Sequence, residues 1–237
     1  RGLFHDFSFW SIFAWTLGGY MLHIGLDVFN SYGANILWPL NRKKIESGLL
    51  LIFDPALLIS AGIISFSKGA HMGRIVGSIA FFALYLIFRW SLKRRVYKNL
   101  IRYFGNETDQ EIVVMPSMLR LFKWDFILYK SEEVITGRVN TLRGDIEVRD
   151  RLRRSSSGLE SLVMDTNIGR FFKDFSPHYH VDWIKDGKNH RAIITDLRYY
   201  VKGSYLHHAT ALFNSQLEPI YSAFQPYNKQ REIKVPV

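Results

Sequence analysis

The chain has 237 residues, 48% of them hydrophobic and 15% aromatic, with no cysteine and a formal charge of +10. These figures exclude a collagen-like, disordered or disulfide-stapled chain, and the lack of cysteine removes thiolate zinc sites and cysteine nucleophiles. The mean hydropathy of -0.03 conceals a split, because residues 1–90 hold only 7 of the 31 Lys/Arg and 4 of the 21 Asp/Glu.

Three apolar stretches come first. Residues 7–26 (FSFWSIFAWTLGGYMLHIGL) carry a single ionisable side chain, His23, and residues 48–66 (GLLLIFDPALLISAGIISF) carry only Asp54. Residues 70–90 reach the same length around an apolar centre at 75–88. A hydrocarbon core of about 30 Å needs roughly 20 helical residues, so each is expected to be a transmembrane helix. Bracketing Trp and basic residues disfavour three buried helices of a soluble core. A signal peptide is disfavoured for 7–26, which lacks a small-residue cleavage site and is followed by further spans. With three spans, Arg42, Lys43 and Lys44 lie on the same side as Arg89, Lys93, Arg94, Arg95 and Lys98, while Lys68 and Arg74 occupy the short turn between. The positive-inside rule then predicts a multi-pass protein of the cell (inner) membrane with a cytoplasmic C-terminus. The lipid bilayer is the expected partner, its anionic leaflet accounting for much of the charge. No nucleic acid is expected, since no aromatic-basic recognition motif is present.

Residues 91–104 continue as a basic amphipathic linker helix, stopped at Gly105-Asn106. Strand signals follow at 111–115, 124–129, 134–139, 145–148, 179–184, 191–201 and 208–213, with a hairpin turn at Asp186-Gly187-Lys188-Asn189. Residues 149–158 (RDRLRRSSSG) read as a loop and 168–172 as a short helix. The predicted fold is therefore an α-helical membrane domain of about three helices over residues 1–90, followed by a small cytoplasmic α+β, mainly antiparallel β domain over 105–237.

Chemistry concentrates at His23 and Asp27. On a helix this i, i+4 pair shares one face, where an imidazole and a carboxylate can hold a divalent metal. Ionisable groups inside a span are costly and usually functional. Asp54 is expected about 9 Å into a helix starting near Gly48, at a depth matching the pair. It reads as a third ligand, as a residue behind the ligands, or as the partner of backbone donors freed by Pro55. The three are expected to converge within about 10 Å, the reach of one ion and its outer shell.

His23-x-x-x-Asp27, then Phe29-Asn30-Ser31-Tyr32-Gly33, Trp38-Pro39-Leu40 and Phe53-Asp54-Pro55, resemble the membrane-bound metal-dependent hydrolases of the YfhP/YdjM type. The C-terminal part is similar to the YfhP-like branch in Phe175-Ser176-Pro177, Trp183 and Asp196-Leu197-Arg198-Tyr199. The resemblance implies a divalent metal (zinc or similar), His23, Asp27 and Asp54 as its ligand candidates, and Asn30, Tyr32, Gly33, Pro39, Pro55, Asp196 and Arg198 as family-motif residues. It also implies an N-terminally truncated member, because the family's opening D-x-x-T-H, P-D-x-D and H-R-G-x-T-H-S segments are not intact here. Residues 1–6 (RGLFHD) echo the last of these. A straight helix over 7–26, however, would separate His5 from His23 by about 27 Å, on opposite sides of the membrane.

Other candidates are weaker. His178-x-His180 shares a strand face, His207-His208 points two ways, Asp196 and Arg198 suit a structural ion pair, and Ser155–Ser157 lacks a G-x-S-x-G setting. No nucleotide-binding glycine pattern occurs. Two functions follow: a membrane-embedded metal-dependent hydrolase acting on a lipid-like or membrane-proximal ester or phosphoester, or a non-catalytic membrane scaffold or sensor whose cytoplasmic β domain binds a protein partner.

Overall fold

The computed structural model describes residues 8–41, 44–66, 71–105, 107–118, 120–227 and 230–237. Residues 1–6 with His5, and Arg42, Lys43 and Lys68 of the topology argument, lie outside the described residues. The chain divides into two compact units, residues 1–96 with 115–124, and residues 97–114 with 125–237.

In the first unit, α1 (Phe9–Phe29) begins at Ser8, whose side chain accepts the Ser11 N–H at 3.2 Å. No residue of α1 is buried, and Phe9, Trp10 and Trp15 are more than 70% exposed. An apolar surface this continuous suits lipid rather than water. The helix runs three residues beyond the predicted end and so includes Asp27.

The second predicted span is corrected. The helix expected over 48–66 is confined to α2 (Pro55–Phe66), 12 residues and about 18 Å long. Residues 47–50 are not helical, and their N–H groups close the end of α1. Ser47 donates to the Val28 carbonyl at 2.7 Å, Leu49 and Leu50 each donate to Phe29 at 2.8 Å, and Gly48 donates to Asn30 at 3.3 Å. These bonds satisfy the orphan carbonyls at the end of α1, and α2 starts where Asp54 caps it and Pro55 takes the first helical position, which suits a residue with no N–H.

Third comes α3 (His71–Phe104), one unbroken 34-residue helix that fuses the predicted span and linker. Tyr85 donates to Asp54 at 3.0 Å, and Arg74 donates to the Ile64 carbonyl at 3.1 Å, so α2 and α3 run antiparallel. Among the described residues α1 and α3 are long and apolar enough to cross a membrane, whereas α2 is not.

The second unit is built on two sheets. One has the order β1-β2-β3-β4, from β1 (Glu111–Pro116), β2 (Lys123–Tyr129), β3 (Glu133–Asn140) and β4 (Ile146–Arg153). The other has the order β11-β10-β9-β6-β5, from β5 (Tyr179–Asp186), β6 (Asn189–Asp196), β9 (His207–Phe213), β10 (Pro219–Pro226) and β11 (Ile233–Lys234). Its strand pairs are antiparallel. Helices α4 (Ser157–Met164) and α5 (Asn167–Phe175) bring Val163, Ile168 and Phe172 onto Val181, Ile194, Ala209 and Phe213, and these seven side chains are at most 3% exposed. Gly169 is where the two helices meet, since an added Cβ would strike the Val163 carbonyl and the Met164 backbone.

Two more expectations are corrected here. Residues 149–153 form the end of β4 rather than a loop. Their charges decorate a strand at the sheet's edge, where charge discourages pairing with other chains. The strand predicted over 191–201 stops at Asp196, and a small hairpin follows, β7 (Tyr200–Val201) with β8 (Ser204–Tyr205). This hairpin is held to the first sheet: Arg149 lies 4.0 Å over the Tyr200 ring, and the Tyr205 hydroxyl donates to Asp150 at 2.8 Å and lies 2.7 Å from the Thr136 hydroxyl.

Candidate functional site

Of the three predicted ligands, the structure brings His23 and Asp27 together. Nε2 of His23 lies 3.6 Å from Oδ2 of Asp27, with the side chains 74% and 36% exposed. At 3.6 Å this is not a hydrogen bond. It is close to the separation of about 3.4 Å between two donors bound tetrahedrally at 2.0–2.2 Å. The carboxylate is oriented by its own helix end. Asn30 donates its side-chain amide to Oδ1 of Asp27 at 3.1 Å, leaving Oδ2 turned toward the imidazole.

Asn30 also ends the helix, its Oδ1 accepting the N–H groups of Tyr32 at 2.7 Å and Gly33 at 3.3 Å. Gly33 has a φ of +69°, and an added Cβ would stand 3.0 Å from the Ile45 carbonyl. Only glycine lets the chain turn there so closely to the Ala34–Ile45 bridge. Thus Asn30, Tyr32 and Gly33 form the turn that fixes the pair, and Pro39 follows in a cis bond to Trp38.

Asp54 is differently employed. It is 2% exposed, and its Oδ1 accepts the Ala56 N–H at 3.0 Å. Its Oδ2 accepts the Leu51 N–H at 3.2 Å and the Tyr85 hydroxyl at 3.0 Å. It caps α2, with Pro55 in the first helical position that suits it. The residue expected 9 Å along a helix therefore precedes that helix, with both oxygens occupied. Among the described residues no group of three His, Asp or Glu side chains could hold a metal ion. His23 and Asp27 stand together as a pair, and among the described residues Asp54 does not complete a set of three.

Sequence reasoning missed the side chains that hold this loop. Arg89 is fully buried: its Nε donates to the Leu49 carbonyl at 2.9 Å, its Nη1 donates to the Leu121 carbonyl, and its guanidinium lies 4.2 Å over the Trp124 ring. Lys93 donates to the Ser47 carbonyl at 2.6 Å. By sequence both count only as basic charges near the end of the third span. The signal was the spacing Tyr85, Arg89, Lys93, one polar stripe on α3.

In the second unit Asp196 and Arg198 form a side-chain pair with no exposed surface. Arg198 donates from Nε to Oδ1 and from Nη2 to Oδ2, both at 3.0 Å, and Ser176 donates to Oδ1 at 2.9 Å. The histidines are structural too. His180 bonds Asp182 at 3.1 Å, His208 bridges the Thr195 hydroxyl and the Tyr205 carbonyl, and the His178 ring lies beside Tyr129.

His207 is 3% exposed, in a cage of Phe175, Tyr199, Phe224 and Tyr227, and among the described residues its Nδ1 has no hydrogen-bond partner. Burial lowers its pKa, opposed by the Asp196 carboxylate and aided to a smaller extent by the Arg198 cation. The folded pKa is thus below the unfolded value near 6.5, so the unfolded chain takes up the proton first as pH falls. The stability that neutral His207 contributes is complete above about pH 6.5 and lost as pH drops toward the folded pKa. In thermal melts between pH 7.5 and 5, the wild-type melting temperature should fall relative to that of His207→Phe as pH drops. Parallel curves would assign the acid sensitivity to another group.

Residues 1–96 match the family described as YdjM inner membrane protein, and residues 160–234 match the YfhP C-terminal alpha/beta plait domain. The chain is 30% identical over 212 residues to a protein of Bacillus subtilis (strain 168) named "Uncharacterized protein YfhP". That alignment covers 84% of this chain and 61% of the relative, so the chain spans less than two thirds of the protein it matches. No solved structure matches. The inner-membrane match and the two long apolar helices support a membrane protein, and residues 1–96 and 160–234 are each similar to a part of the YfhP/YdjM type.

Proposed function

We propose that the protein is a membrane-embedded, metal-dependent hydrolase of the YfhP/YdjM type, with His23 and Asp27 as two ligands of a divalent ion, zinc or similar. The observation that carries this is the 3.6 Å spread of Nε2 and Oδ2, with Asn30 holding the other carboxylate oxygen. A bound ion would supply Lewis-acid activation of an ester or phosphoester. Asp54 supports the loop behind the pair by capping α2 and accepting from Tyr85. A lipid-like substrate is supported by the apolar turn that follows, where Leu37, Trp38 and Leu40 are 48%, 67% and 93% exposed. Bonds from Arg89 and Lys93 to Leu49 and Ser47 support a shared side for that loop and the basic end of α3. By the positive-inside rule that side is the cytoplasm, giving a multi-pass inner-membrane protein with a cytoplasmic C-terminus.

Metal analysis of the purified protein tests this. Wild type should retain about one divalent ion per chain, and His23→Ala and Asp27→Ala should each weaken retention at least tenfold while the melting temperature without metal is unchanged. A folded protein that binds no divalent ion, or variants that bind it as well as wild type, would overturn the reading and favour the scaffold or sensor whose β domain binds a partner.

A further inference from the structure

We propose that one face of α3, made by Arg94, Arg95, Lys98 and Arg102, binds the phosphates of anionic phospholipid headgroups. At 100° per residue these four positions fall within a wedge of about 100°. The opposite side of the helix carries Arg89, Val96 and Leu100, each with no exposed surface. All four cations are exposed, and among the described residues none has an acidic partner within ion-pair distance. Arg94 is instead stacked on Trp90, 3.8 Å from the ring centroid, which extends its guanidinium over an interfacial type of side chain. Four unpaired cations facing one way call for an anionic occupant.

Continuity with the span decides which anion. Trp90 ends the apolar part of α3 and is 46% exposed, where a membrane-interface tryptophan belongs. Along the helix axis Arg94 lies about 6 Å beyond it, Lys98 about 12 Å and Arg102 about 18 Å. Headgroup layers are about 5–8 Å thick on each side of the hydrocarbon core. Arg94 and Arg95 therefore stand within them, Lys98 reaches back with its long chain, and Arg102 acts across about one Debye length. The expected contributions fall in that order, at most about fivefold in affinity per charge.

The test titrates the full chain in neutral detergent with dihexanoyl phosphatidylglycerol and dihexanoyl phosphatidylcholine, following tryptophan fluorescence. Phosphatidylglycerol should bind about tenfold more tightly at low ionic strength, and the preference should shrink as sodium chloride is raised. Arg94→Gln/Arg95→Gln should abolish most of it, Arg102→Gln little, and the exposed control Arg170→Gln none. Lys98→Glu reverses one charge at an exposed position and gives an independent reading should the double variant lose its melting transition. Equal affinity for the two lipids, or an unchanged preference in the double variant and in Lys98→Glu, would overturn the proposal. Tighter binding of poly-glutamate or of a short DNA duplex than of phosphatidylglycerol would reassign the face to an acidic protein or to nucleic acid.

Discussion

Replacing Arg89 with methionine should destabilise the membrane unit by about 3 kcal/mol and lower its melting temperature in detergent by about 10 °C. The side chain has no exposed surface and serves three partners, the carbonyls of Leu49 and Leu121 and the face of Trp124. Methionine fills similar volume but leaves both carbonyls without a donor, at about 1–3 kcal/mol each, and gives up the ring stack. The loss stays toward the lower end of that sum because Nη2 has no partner, and methionine removes that buried donor as well. Lysine should rescue little, since a single ammonium cannot span two carbonyls and lie flat on an indole. Melting curves of wild type, Arg89→Met and Arg89→Lys settle the matter. Shifts under 2 °C in both variants would mean that Arg89 does not hold the loop.

A loss of similar size is expected in the other unit from Asp196→Ala. It strands the Arg198 guanidinium, with no exposed surface, beside the Phe175 carbonyl 3.2 Å away. Removing one member of a buried pair typically costs about 3–5 kcal/mol, whereas replacing both by apolar groups costs much less. The double variant Asp196→Ala/Arg198→Met should therefore melt above Asp196→Ala alone, as read by loss of the β signal in circular dichroism. If the double variant is worse than the single, the guanidinium does more for the fold through Phe175 and the neighbouring rings than through Asp196.

Local features were legible in the residues themselves. The apolar runs gave α1 and α3 because a bilayer demands a certain length of uncharged helix, whatever lies elsewhere in the chain. The meeting of His23 and Asp27 followed from helical spacing alone. The hairpin at Gly187-Lys188 was readable because Gly187, with a φ of +64°, allows a two-residue turn between β5 and β6.

What the residues did not disclose depends on partners far along the chain. Leu49 and Leu50 are as apolar as any helix former, yet their N–H groups are taken by Phe29, some twenty positions earlier. With that segment tied to the end of α1, α2 starts at Pro55, and Asp54, expected at depth in a helix, caps it instead. By sequence Arg89 is one of the basic charges at the end of a span, and only the structure sets the Leu49 and Leu121 carbonyls against it. Residues 149–153 read as a charged loop because an edge strand needs little apolar content, and its pairing with β3 is visible only in the sheet. Periodicity and span length are properties of contiguous residues, so the sequence by itself determined α1, with its His–Asp face, and α3. Which distant donor satisfies which backbone group is a non-local choice, and only the tertiary structure decided it.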